Sequence, residues 1–160
     1  MPPDSPNSDA PRELPASAGG PALTLRGDLV AVHGLPPGAA PPGARLLLDR
    51  GRIAVVPSSA LPPAPAATGP VYSSADGEIV VPTGRVFVRF AAGTDAHSRA
   101  ADLERAGFSI EKVPVSAPHA AWVTARRDGV VAALRGIADL ARLSGVDGVE
   151  PQWLRERVNR

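Results

Sequence analysis

The chain has no cysteine. Disulfide staples, thiol catalysis and cysteine-held zinc are therefore excluded. Aromatic residues are scarce and unevenly placed. Residues 1–82 hold only Tyr72, while Phe87, Phe90, Phe108, Trp122 and Trp153 all fall in residues 83–160. Large apolar side chains supply roughly 1.5–3 kcal/mol each when fully buried. A convincing core is thus expected only in the second part, and a unit of that size is marginal on its own. Charge of one sign is also lacking. The net charge is +1, which gives no strong field for nucleic acid or a membrane surface. Residues 1–82 carry 5 basic and 7 acidic side chains, and residues 83–160 carry 12 and 9. No apolar run approaches the ~20 residues of a membrane helix. Met1 to Gly20 shows neither the basic nor the apolar region of a signal peptide, so a cytoplasmic protein is expected.

Proline is abundant, and 16 of the 19 lie in residues 1–82. Residues 1–21 are polar, proline-rich and without periodicity. They are expected to be disordered, because little apolar surface is available to offset their ordering entropy. Residues 22–82 read as a β-hairpin appendage and a Pro/Ala linker. Ala22–Leu25 and Leu29–Val32 flank Arg26-Gly27-Asp28, and Leu46–Leu48 and Ile53–Val56 flank Asp49–Arg52. Each pair has the apolar–turn–apolar pattern of a hairpin. The prolines of 36–43 separate them. Arg26-Gly27-Asp28 also matches an integrin-recognition tripeptide, but a tight turn demands the same Gly and Asp. With no secretion signal it reads as a turn.

Residues 83–160 are more regular. Arg85–Phe90 alternates as a strand. Thr94 or Asp95 can cap a helix to about Ala106, stopped by Gly107. Phe108–Val115 and Ala120–Arg126 are two further strands. Asp128 caps a longer helix with Val130, Leu134, Ile137 and Ala141 at helical spacing, stopped by Gly145. Val146–Glu150 begins a fourth strand, and Pro151 limits its ladder pairing, which suits an edge strand or a strand end. The expected fold is α+β, a ferredoxin-like β-α-β-β-α-β antiparallel sheet with two helices on one face and the other face open. Trp122 is expected in its core.

Certain stretches carry a resemblance. Thr83–Phe90, Ala106-Gly107-Phe108, Ala117–Val123 and Leu140–Pro151 resemble, in order, the first strand, the helix-to-strand turn, the second-to-third-strand connection with the third strand, and the second helix end with the entry to the last strand of the propeptide of subtilisin-like serine proteases. The resemblance covers residues 83–151, without the protease domain. It implies a non-catalytic partner of a subtilisin-like serine protease, acting as inhibitor, folding chaperone or both. It implies that the open sheet face docks on two protease helices. Glu150 matches the acid that caps a protease helix N-terminus, where the dipole favours negative charge. The family often has a second acid where this chain has Gln152.

The resemblance further implies a tail, residues 152–160, that lies in the substrate cleft. Gln152, Trp153, Leu154, Arg155, Arg157, Val158, Asn159 and Arg160 are its candidate contacts beside Glu150. Nine extended residues span roughly 30 Å. Alternate side chains would fill pockets, and a terminal Arg160 would suit an arginine-accepting one. Trp153 either packs back on the unit or anchors the partner.

Other readings fare worse on the residues. His33, His97 and His119 lack catalytic contexts, no Gly-Thr-Ser nucleophile turn is present, and no histidine spacing suggests a metal. Neither an enzyme nor a cofactor is expected. The topology is also that of RNA-recognition modules, but Phe87 and Phe90 point to opposite faces and their aromatic signature is missing. A non-inhibitory adaptor that tethers a protease or effector is the main alternative, and a ligand-sensing domain of the same shape is a third.

Overall fold

Short apolar runs between glycine and proline breaks leave room only for short strands in the first half of the chain. The computed structural model describes residues 10–15, 22–36, 38–60, 67–126 and 129–155. These form a mixed α+β structure with sheets of seven and four strands and two α-helices. Every strand pairing with a defined register is antiparallel. In chain order the strands are β1 (Glu13–Pro15), β2 (Ala22–Leu25), β3 (Leu29–Val32), β4 (Leu46–Leu48), β5 (Ile53–Pro57), β6 (Thr68–Gly69), β7 (Tyr72–Ser73) and β8 (Ile79–Phe90). There follow α1 (Ala100–Arg105), β9 (Phe108–Lys112), β10 (Ala120–Ala125), α2 (Gly129–Ala141) and β11 (Val146–Arg155). The chain divides into two compact units, Met1–Pro82 with Trp153–Arg160, and Thr83–Gln152.

In the first unit, β4, β5, β3 and β6 pair in that order. All four residues of β3 are buried. Leu29, Ala31, Ile53 and Val55 pack with Leu48, Val71 and Val81, while Val30, Val32, Ala54 and Val56 form a second cluster under Leu35 and Ala44. An aliphatic strand buried on both faces is a central strand with a neighbour on each side. This requirement overturns one of the two expected hairpins. Leu46–Leu48 and Ile53–Val56 do pair, across a turn in which Asp49, Arg50 and Gly51 all have positive φ (48°, 56° and 85°). Ala22–Leu25 and Leu29–Val32 do not. β3 takes β5 and β6 as partners, whereas β2 pairs with β1 and β7. Arg26-Gly27-Asp28 is the corner between the two sheets. The Arg26 guanidinium donates to both Asp28 oxygens at 2.9 and 2.8 Å. This fork holds the Asp28 carboxyl below its ordinary pKa and raises that of Arg26.

A second correction concerns residues 1–21. Ala10–Pro15 is ordered; β1 pairs with β2 and Leu14 is buried. The Tyr72 hydroxyl donates to the Pro11 carbonyl at 2.6 Å. The rest of 1–21 lies outside the described residues.

In the second unit the strand order is β11, β8, β10, β9. β8 runs from Ile79, six residues earlier than the alternation at Arg85 suggested, and only its part from Thr83 belongs to this unit. Val86, Val88 and Phe90 from β8 and Ala121 and Val123 from β10 form the core with Leu103 of α1 and Ala133 and Leu140 of α2. The first helix opens with a 3-10 turn, Ala96–Arg99, where the Asp95 side chain accepts from the His97 N–H at 2.9 Å. α2 begins at Gly129, and its expected cap, Asp128, lies outside the described residues. The helix approaches the sheet closely at Gly136. A Cβ there would lie 2.6 Å from the Phe108 ring. Gly145 follows the helix with φ +79°, a conformation that other residues adopt at a cost. Of the two roles expected for Pro151, an edge strand or a strand end, the structure has the first: the strand continues through it to Arg155. Among the described residues it pairs with β8 alone, and the outer side of an edge strand tolerates the loss of an N–H at proline.

Two predictions follow from this packing. Gly136→Ala forces either α2 or Phe108 to move and is expected to destabilise the second unit by about 1–3 kcal/mol, read from the denaturant midpoint. The second concerns His33. It donates its backbone N–H to the Ala67 carbonyl at 2.8 Å, and its Nε2 is buried without a hydrogen-bond partner among the described residues. Burial lowers its pKa from 6.5. The unfolded chain therefore binds the proton more readily, and stability falls as pH drops below about 6.5. Denaturant midpoints measured from about pH 8 to about pH 5 should show that slope, and His33→Leu should remove it.

Candidate interaction surface

Strand alternation decides what faces away from the helices. With Val86, Val88 and Phe90 turned into the core, Arg85, Phe87 and Arg89 stand on the opposite face of β8. On β10, Ala121 and Val123 face the core, which leaves Trp122 on the other side. The register places Trp122 directly opposite Phe87 on one side and Lys112 of β9 on the other. A row Phe87, Trp122, Lys112 therefore crosses three strands. The expected core position of Trp122 is corrected here: it is half-buried on the helix-free face. The run Ala120–Val123 is apolar throughout, so its sequence alone does not say which residues turn inward.

The row is tied together by rings and charges. The Phe87 and Trp122 rings lie 4.9 Å apart at 54°. The Arg85 guanidinium sits 5.1 Å from the Trp122 ring centroid and donates to Glu111 at 3.0 Å. Arg over an indole face contributes roughly 0.5–1 kcal/mol at exposed sites. Beside Trp122 lies a recess of about 720 Å³, lined in part by Lys112, Pro114, Ser116 and Gln152. Val115 at its rim is 99% exposed.

The residues expected to touch a protease are placed as follows. Glu150 is exposed on β11. Gln152 accepts a hydrogen bond from the Thr83 hydroxyl at 2.8 Å. Trp153, Leu154 and Arg155 belong to the first unit and are engaged there. The Trp153 ring meets Tyr72 edge-on at 6.2 Å, and its Nε1 is buried without a hydrogen-bond partner among the described residues. Leu154 packs on the cluster of Leu29, Val55 and Val81. Arg155 pairs with Glu78 at 3.2 Å. Trp153 packs on its own chain, but on Tyr72 of the first unit and not on residues 83–151 as expected. Arg157, Val158, Asn159 and Arg160 lie outside the described residues. His97 is exposed and His119 half-buried, each on a loop or turn. Among the described residues, no group of three or more acidic or histidine side chains is placed to hold a metal. Nor is any described helix long and apolar enough to cross a membrane.

Comparison with protein-family models, with curated proteins and with solved structures finds no match to this chain. The helix-free face is thus interpreted from its own chemistry. If the Phe87–Trp122 contact holds the row, a double-mutant cycle with Phe87→Ala and Trp122→Ala should give a coupling of about 0.5–1.5 kcal/mol in unfolding free energy. Additive single effects would show that the two rings merely lie side by side.

Proposed function

We propose that this chain is a non-catalytic binding protein of the subtilase-propeptide kind, which holds a subtilisin-like serine protease through the helix-free face of its second unit. The observation that carries the reading is the row Phe87, Trp122 and Lys112, with Arg85 over the indole. Tryptophan and arginine beside a recess are the residue types that dominate binding energy at protein interfaces. The strand order β11, β8, β10, β9, with the core-forming helices on one side, supports a ferredoxin-like split β-α-β unit. That is the architecture the resemblance implies.

Between inhibitor and adaptor, the geometry favours the adaptor. A cleft-filling tail needs Trp153, Leu154 and Arg155 free and extended toward the protease. Here Trp153 and Leu154 are packed in the first unit and Arg155 is paired. Trp153 and Leu154 are half-buried, so withdrawing them costs part of the roughly 1.5–3 kcal/mol that full burial of each would contribute. The partner would have to return that energy before any net affinity appeared. Docking by the sheet face requires no such release.

The test is a titration of purified chain against a panel of subtilases, beside a version ending at Arg155 and the Trp122→Ala variant. Both wild-type lengths should bind alike and leave protease activity intact. Trp122→Ala should weaken binding by about 30-fold or more, the loss of an interface hot spot. Stoichiometric inhibition that disappears with residues 156–160 would instead establish a cleft-occupying inhibitor. Absence of binding by any version would end the protease reading.

A further inference from the structure

A second recess lies on the helical side of the same unit. It has a volume of about 750 Å³, within the range of sites that take small ligands. Its floor is apolar and built by close packing. Phe108 is buried, with its ring against the backbone of Gly136, and Ala132 stands one helical turn before that glycine. Small residues on α2 keep the recess empty where longer side chains would fill it.

The rim carries four charges, two of each sign: Arg126, Arg135, Glu104 and Asp139. Among the described residues none of the four side chains has an ion-pair or hydrogen-bond partner. Arg135 and Asp139 are one turn apart on α2, a spacing at which opposite charges can pair. Elsewhere in this unit such pairs do form: Asp102 holds both Arg99 and Arg105, and Arg85 holds Glu111. The rim differs in leaving both signs uncompensated around an apolar floor.

We propose that this recess binds a short peptide through its free C-terminal carboxylate. Arg126 and Arg135 offer planar donor forks suited to a carboxylate. The half-buried Ala106, Ala125 and Ala132, laid over the buried Phe108 ring, take an apolar terminal side chain. Glu104 and Asp139 favour a positive charge further back, from a lysine or from the peptide's own amino group. The recess is larger than one amino acid needs and suits three or four residues. This site shares no lining residue with the helix-free face, so it is independent of the protease reading.

The probe is the tetrapeptide Lys-Ala-Ala-Leu with a free carboxylate, compared with its C-terminal amide. Binding to the full chain is followed by backbone amide chemical shifts. The acid form should bind with shifts centred on residues 125–139, and the amide about tenfold or more weaker, as loss of charge-assisted hydrogen bonds implies. The exposed pair Arg126→Gln and Arg135→Gln should lose a similar factor while far-ultraviolet dichroism stays unchanged. Ala132→Phe, which fills the recess, should abolish binding. Equal binding of acid and amide, or undiminished binding by the double arginine variant, would overturn the proposal. So would the absence of shifts with the acid form at millimolar concentration. Retained protease binding by Ala132→Phe would show the two surfaces to be separate.

Discussion

The burial of Val86, Val88 and Phe90 on one side of β8 is the constraint on which the second unit depends. A strand can present alternate residues to only two faces, and a slip of one residue would turn all three outward. Once this set is inside, Arg85, Phe87 and Arg89 have no other place than the helix-free face. The antiparallel register with β10 then sets Trp122 against Phe87. Core and candidate surface are thus the two sides of one decision. The aromatics are few, and they divide between these roles: Phe90 and Phe108 fill the core, Phe87 and Trp122 the surface.

The first unit solves the shortage of aromatics differently. It contains one tyrosine, and its β3–β5 pair is buried on both faces by valine, alanine, leucine and isoleucine. β-Branched residues suit such a strand because they pack well on a pleated surface. The remaining large rings, Tyr72 and Trp153, meet each other. Burial raises the pKa of the Tyr72 hydroxyl, which keeps it a neutral donor to Pro11. The chain between Trp153 and Arg155 is thereby structural before it is functional. A residue that completes its own fold is poorly placed to be a free anchor for another protein.

Electrostatics sharpens the contrast between the two surfaces of the second unit. On the helix-free face Glu111 already compensates Arg85, leaving Arg89 and Lys112 as an excess of positive charge. That bias suits an acidic partner and acts mainly within a Debye length of about 8–10 Å. On the helical side the charges balance, and what matters is that they are unpaired around an apolar floor. The first arrangement favours a broad protein partner, the second a small ligand with separated charges.

Much of this was legible in the residues. The strand pattern of Arg85–Phe90, the Asp95 cap and the turn at Asp49–Arg52 each rest on local stereochemistry, which a sequence records directly; of the expected face of α2, Val130 and Leu134 are buried, whereas Ala141 is exposed and Ala133 and Leu140 are buried in addition. Local chemistry also placed Phe87 opposite Phe90. Partner choice was not legible. The pairing of β2 with β1 and β7, the inclusion of Ala10–Pro15 in a sheet, and the passage of β11 through Pro151 depend on residues distant in the chain. The facing of Trp122 depended on its strand's register, because every neighbour on that strand is apolar too. The sequence by itself therefore determined the main elements of the second unit and the Asp49–Arg52 turn, but not the aliphatic core that the first unit builds for itself. Only the tertiary structure decided which strands are neighbours, which ring is left outside and that Trp153 is held at home, because those outcomes are settled by long-range burial and not by any local preference.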